Sequence, residues 1–191
     1  MKKIISLFQR NYDGDRLVRD EVVPGAEWVL AGEGVATRKW DGACVLIEDG
    51  VMWKRYEVKA GKTPPEGFRP ANDVDSTTGK QQGWLLVGDG PEDRWHREAL
   101  TNSGSSLAKI PGGTYELVGP KVQGNPERFD NHQLVRHGAA FLSTAPRTFD
   151  GLREYFAHYP SGESDMEGIV WHRVNGDMVK IKAKDFGLRR A

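Results

Sequence analysis

Short apolar runs punctuated by turn residues, with few helical stripes, make up most of the hydrophobic pattern of this chain. Ala43 to Glu48 is a nearly continuous apolar run of strand length, and Asp49-Gly50 after it is a favoured two-residue hairpin turn. Val51 to Tyr56 reads as the returning strand. The arrangement recurs at Gly168 to Arg173, with a turn around Asn175-Gly176 and a second strand from Met178 to Lys182. Single strands are predicted at Trp84 to Val87, Thr114 to Val118 and Leu134 to Arg136. Two segments carry helix signals. Glu92 to Leu107 follows Pro91 and opens on an acidic turn, which suits the positive end of the helix dipole. Thr148 caps a second helix whose apolar face is Phe149, Leu152, Phe156 and Tyr159, and Pro160 and Gly162 stop it. The spacing of these aromatics is the packing period, so they read as core. Lys59 to Gly83 is rich in Pro, Gly, Asp, Thr and Lys and shows no period; it is a long functional loop or a partly disordered lid. The predicted architecture is a single α+β domain over residues 1–191, with antiparallel sheets and flanking helices.

Composition narrows the picture modestly. A chain of 191 residues can bury one good core. Its 27 basic and 27 acidic residues cancel, so any nucleic-acid site must be a local basic patch. The single cysteine, Cys44, excludes an intrachain disulfide, fits a reducing compartment and reads as packing. The apolar run Ile4 to Phe8 is too short for a signal region, and no run approaches the ~20 residues of a membrane helix. A soluble, cytoplasmic protein with no membrane partner is expected. His96, His132, His137, His158 and His172 show no metal-ligand spacing with Cys or acids.

The candidate chemistry begins at Lys39-Trp40-Asp41-Gly42, where a lysine precedes a glycine turn that feeds a strand. Lysine is a nucleophile only when neutral, and its ordinary pKa of ~10.4 opposes that at neutral pH. Neighbouring cations or a metal ion would free its lone pair. The chain supplies such groups. Lys180 and Lys182 alternate on the last strand and so point to one face. Arg55 lies on the strand paired with the one leaving Lys39, Glu116 sits in Tyr115-Glu-Leu-Val-Gly119, and Glu167 opens Glu167-Gly-Ile-Val170. Cations suit phosphate oxygens, and carboxylates suit Mg²⁺. Trp40 either faces the nucleotide pocket or, more simply by strand alternation, turns away from the side that Lys39 uses.

In this order the motifs resemble those of the covalent nucleotidyltransferase superfamily, which comprises ATP-dependent DNA ligases, RNA ligases and mRNA capping enzymes. The resemblance runs from about Thr37 to Lys182. It implies the ligase adenylation fold, described as ATP-grasp-like, with ATP and Mg²⁺ (or Mn²⁺) as cofactors. It implies that Lys39 attacks the α-phosphorus of ATP, that Lys180 and Lys182 stabilise the phosphate charge, and that Lys182 depresses the pKa of Lys39. Asp41 and Gly42 shape the turn, Asp41 also orienting the lysine or bonding to the nucleotide. Arg55 contacts the nucleotide or a 5′-phosphate, Glu116 binds ribose or a metal, and Glu167 holds the catalytic metal. The aromatic that stacks on adenine falls near His137 or Phe141. The chain ends at Ala191, nine residues past Lys182, so no C-terminal OB domain is expected. That feature, with Tyr115 to Pro126, points to the ATP-dependent RNA ligase group. Its implied partner is RNA with 5′-phosphate and 3′-hydroxyl ends, and a protein partner for end recognition is left open.

Simpler readings stand beside these. Lys-x-Asp-Gly alone is an exposed lysine before a turn. Lys180, Lys182 and Lys184 alone are a solubilising sheet edge, Glu116 and Glu167 are solvated strand-end acids, Arg55 pairs with an acid, and Arg189-Arg190 is a frayed tail. Functional alternatives are a GTP-dependent guanylyltransferase, a DNA nick ligase, or a non-catalytic RNA- or nucleotide-binding module of the same fold.

Overall fold

The computed structural model describes residues 4–158 and 166–189. Tyr159, Pro160 and Gly162, expected to complete and stop the second helix, and Arg190 of the basic tail lie outside the described residues. The chain divides into two compact units. Among the described residues, a terminal unit takes 4–41, 138–158 and 166–189, and a central unit takes Gly42–His137.

The terminal unit begins with strands β1 (Ile5–Ser6), β2 (Phe8–Arg10) and β3 (Val18–Val22), helix α1 (Glu27–Leu30) and strand β4 (Val35–Lys39). None of these was legible in the hydrophobic pattern. Strand β3 exposes its three middle residues, and β4 buries a small and a polar residue, Ala36 and Thr37, so neither shows apolar alternation.

The central unit carries β5 (Ala43–Glu48), β6 (Val51–Val58), β7 (Arg69–Pro70), β8 (Gln81–Leu86), α2 (Arg94–Asn102), β9 (Gly113–Val118) and β10 (Gln133–Arg136). They form an antiparallel sheet in the order β10-β9-β5-β6-β8-β7. The Asp49-Gly50 turn has both residues at positive φ, 52° and 72°, as a tight hairpin requires. Val45, Ile47, Tyr115 and Leu117 project from one sheet face into a core that Ala99 of α2 completes. Two expectations need correction. The helix stops at Asn102 rather than Leu107, because the chain turns left-handed at Gly104 (φ 64°) and Leu107–Lys109 makes a separate 3₁₀ turn. The segment 59–83 is not all loop: β7 lies within it, and β8 starts at Gln81 rather than Trp84. Gln81 and Gln82 pair with Val58 and Glu57, a polar rim that hides the strand's start from a hydrophobicity reading.

The terminal unit closes with α3 (Phe149–His158), β11 (Gly168–His172) and β12 (Met178–Lys182). Its main sheet has the order β1-β12-β11-β4, with β11 antiparallel to both neighbours and the two-residue β1 parallel to β12. Strands β2 and β3 form a separate antiparallel ribbon. The Thr148 hydroxyl accepts the Gly151 N–H at 3.3 Å and caps α3, which buries Leu152 fully and packs Phe149 and Phe156 on the core. Ala36, Ile169, Trp171, Val179 and Ile181 fill the inward face of the main sheet. Residues between them in sequence, Thr37, Lys39, Gly168, Val170, Lys180 and Lys182, therefore share the opposite face. Among the described residues, no helix is long and apolar enough to cross a membrane.

Candidate active site

Within the terminal unit, strand register gathers the lysines. Lys39 on β4 and Lys182 on β12 both pair with Gly168 on the strand between them. Glu167, next to that glycine, sends one carboxylate oxygen to each: Lys39 Nζ donates to Oε2 at 2.5 Å, and Lys182 Nζ donates to Oε1. Gly168 has no room for a side chain, since a Cβ there would lie 2.2 Å from the Ile181 carbonyl oxygen. Backbone contacts hold the group. Ala183 N–H donates to the Glu167 carbonyl at 3.0 Å, and Lys182 N–H donates to Asp185 Oδ2 at 3.0 Å. Arg10 pairs with the other oxygen of the buried Asp185.

The charges are strongly coupled. Burial alone would raise the Glu167 pKa, but the ammonium groups of Lys39 and Lys182 outweigh it and hold the carboxyl below its usual range. Lys180 feels the opposite balance. Burial, with the like charges of Lys182 and Lys39, pulls its pKa down to about 8. Trp40 lies beneath the Arg38 guanidinium, 4.4 Å from the ring centre, a partner two residues back along the chain.

The central unit holds a second group. Glu116 on β9 pairs directly across the ladder with Cys44 on β5. Their neighbours Val45, Tyr115 and Leu117 point into the core, so Cys44 and Glu116 share the other face. Cys44 is thus half-buried on the face away from that core. Glu116 Oε1 accepts the Gly42 N–H at 3.0 Å, and Oε2 pairs with His137 Nε2 at 2.7 Å. Gly42 is obligatory there, because a Cβ would lie 2.1 Å from the Leu117 carbonyl oxygen. The donor atoms of Cys44, Glu116 and His137 all lie within 4.8 Å of one another. Reading the histidines by sequence spacing missed this group because its members come from three separate segments; strand pairing was the signal available. Among the described residues, Arg55 has no acid partner. Its Nε donates to Gln82 Oε1 at 3.0 Å, its guanidinium sits 5.1 Å from the Trp84 ring centre, and its buried Nη1 makes no hydrogen bond. Phe141, bridged to Thr37 in the terminal unit, is 71% exposed. Asp41 is the last residue of the terminal unit before Gly42 opens the central one.

Comparison with known proteins decides the family, since the family model described as RNA ligase 1 matches residues 91–191, more than half of the chain. The chain belongs to the RNA ligase 1 family. That places it among the RNA-ligase-like nucleotidyltransferases. The matched segment contains Glu116, His137, Glu167, Lys180 and Lys182, whereas Lys39 to Arg55 precede it. RNA ligase 1 of Danio rerio is 34% identical over 89 residues, 44% of this chain and 27% of that protein. RNA ligase 1 of Mus musculus is 26% identical over 162 residues, 66% of this chain and 49% of that protein, and the Rattus norvegicus protein is 25% identical with the same coverage. The chain thus spans about half or less of the length of these curated relatives.

Proposed function

We propose that this chain is the adenylyltransferase part of an ATP-dependent RNA ligase, with Lys39 as the residue that carries AMP. The observation that carries the reading is the Lys39–Glu167–Lys182 bridge across Gly168, with Lys180 on the same sheet face. Family membership supports the same class of chemistry.

In this mechanism Lys39, oriented by Glu167 at 2.5 Å, first gives up its ammonium proton to solvent. The amine then forms a P–N bond at the α-phosphorus of ATP as the bond to the bridging oxygen breaks and pyrophosphate leaves. Lys180 and Lys182 take up charge on the α-phosphate. Glu116, fixed through Oε1 by the Gly42 N–H, holds the ribose with His137 beside it. Asp41 orients the turn, and Arg55 offers its unused N–H to a phosphate. A divalent ion such as Mg²⁺ or Mn²⁺ fits a buried carboxylate set among phosphate-binding lysines, because it is held by one or two carboxylates, phosphate oxygens and water. Glu167 would hold it, and the ion would neutralise phosphate charge. AMP passes from Lys39 to the 5′-phosphate of an RNA, and a 3′-hydroxyl displaces it to close the phosphodiester.

Incubation with ATP and Mg²⁺ or Mn²⁺, followed by intact-mass spectrometry, tests the first step. The expected result is a mass increase of one AMP, mapped by peptide analysis to Lys39 and absent from Lys39→Ala. A wild-type mass unchanged with either ion would overturn the proposal.

A further inference from the structure

We infer that Cys44, Glu116 and His137 form a binding site for a zinc-class divalent ion, and that its occupation shuts the nucleotide out. The existence of the site rests on geometry alone; only its effect on nucleotide binding depends on the function proposed above. The three side chains offer a thiol sulfur, an imidazole nitrogen and a carboxylate oxygen within 4.8 Å of one another. This mixed donor set suits Zn²⁺ rather than Mg²⁺, which takes oxygen ligands. Three protein ligands leave one coordination position for water, as in open zinc sites.

The arrangement is built rather than incidental. Cys44 and Glu116 are a directly paired cross-strand couple, so sheet register sets their spacing. Glu116 is buried, and its Oε1 is anchored by the Gly42 N–H, which leaves Oε2 to coordinate. His137 follows β10, its own N–H donates to the Thr114 carbonyl at 3.1 Å, and Nε2 already faces Oε2 at 2.7 Å. An ion placed between these two atoms takes the position of the hydrogen they share. Zinc bonds of ~2.0–2.3 Å put tetrahedral donors about 3.3–3.8 Å apart, so side-chain rotations of about 1 Å complete the site. Cys44 binds as thiolate, and its proton leaves to solvent. Because Glu116 cannot hold the ion and a ribose with the same oxygen, zinc and ATP exclude one another.

The test is titration of the full metal-free chain with Co²⁺ in the absence of nucleotide. The expected result is a saturable thiolate-to-cobalt charge-transfer absorption that Zn²⁺ abolishes, that Cys44→Ser lacks and that His137→Gln weakens. A wild-type chain with no such absorption, or an absorption that persists in folded Cys44→Ser, overturns the site. The wild-type arm decides even if a variant fails to fold. In the AMP-adduct assay, saturating Zn²⁺ should remove the adduct from the wild type but not from Cys44→Ser; an undiminished wild-type adduct overturns the exclusion. A cobalt signal in a chain that never forms the adduct would leave the metal site standing while the ligase proposal falls.

Discussion

Three lysines on one sheet face exceed what the Glu167 carboxylate can balance, and Lys180 bears the excess. Its folded pKa of about 8 is below its ordinary 10.5, so its charge works against folding at every pH below 8. Between pH 8 and 10.5 the unfolded chain binds more protons than the folded one, and stability should rise with pH. In metal-free buffer, Lys180→Met should flatten that rise in urea titrations and stabilise the protein at pH 7 by about 1–3 kcal/mol. The same variant should form the AMP adduct roughly 10²-fold more slowly, the scale of one lost electrostatic contact to the transition state. Glu167 has the opposite sign. Its carboxyl is held below its ordinary 4.5, so its contribution is present above that pH and disappears as pH falls through the folded value. Glu167→Gln should therefore remove part of the acid sensitivity of unfolding and, at pH 7, abolish most adduct formation. Lys39, Glu167, Lys180 and Lys182 were legible in the sequence because alternation and motif order both mark them. The partnership of Cys44, Glu116 and His137 was not, since a cross-strand neighbour leaves no trace in spacing along the chain.

Among the elements, β11 matters most to the lysine group, because it stands between β4 and β12 and carries the glycine over which Glu167 reaches both lysines. Gly168→Ala would drive a methyl group to 2.2 Å from the Ile181 carbonyl oxygen, forcing the β11–β12 pair apart. Thermal unfolding should show a loss of about 1–3 kcal/mol, with the adduct largely lost as well. Gly176 is the contrasting position. It has φ 88° in the turn and no heavy atom within 4 Å of an added Cβ, so Gly176→Ala should cost only about 1 kcal/mol and leave the adduct intact. Both hairpins were readable from their apolar runs and Asx-Gly turns. Strands β4 and β7 were not, because a strand built of small, polar or proline residues owes its existence to its partner rather than to its own pattern.

For the molecule as a whole, charge balance and chain division set the expectations. With a formal net charge of 0, RNA affinity should come from a few local contacts. The slope of log affinity against log salt should be about −2, as for roughly three phosphates on a single strand, and Arg55→Ala should reduce it by about 0.7. The two-unit division was not legible, because composition does not change where the chain leaves the terminal unit after Asp41 or returns to it at Gly138. The ladder that pairs Lys39 and Lys182 with Gly168 has one more consequence. A one-residue slip of either outer strand would rotate its lysines into the apolar interior and bring Arg38 or Ile181 out in their place. A misaligned chain should thus fail to fold rather than fold with a displaced site, and, under the proposed chemistry, the yield of lysyl-AMP at saturating ATP should count the correctly assembled molecules.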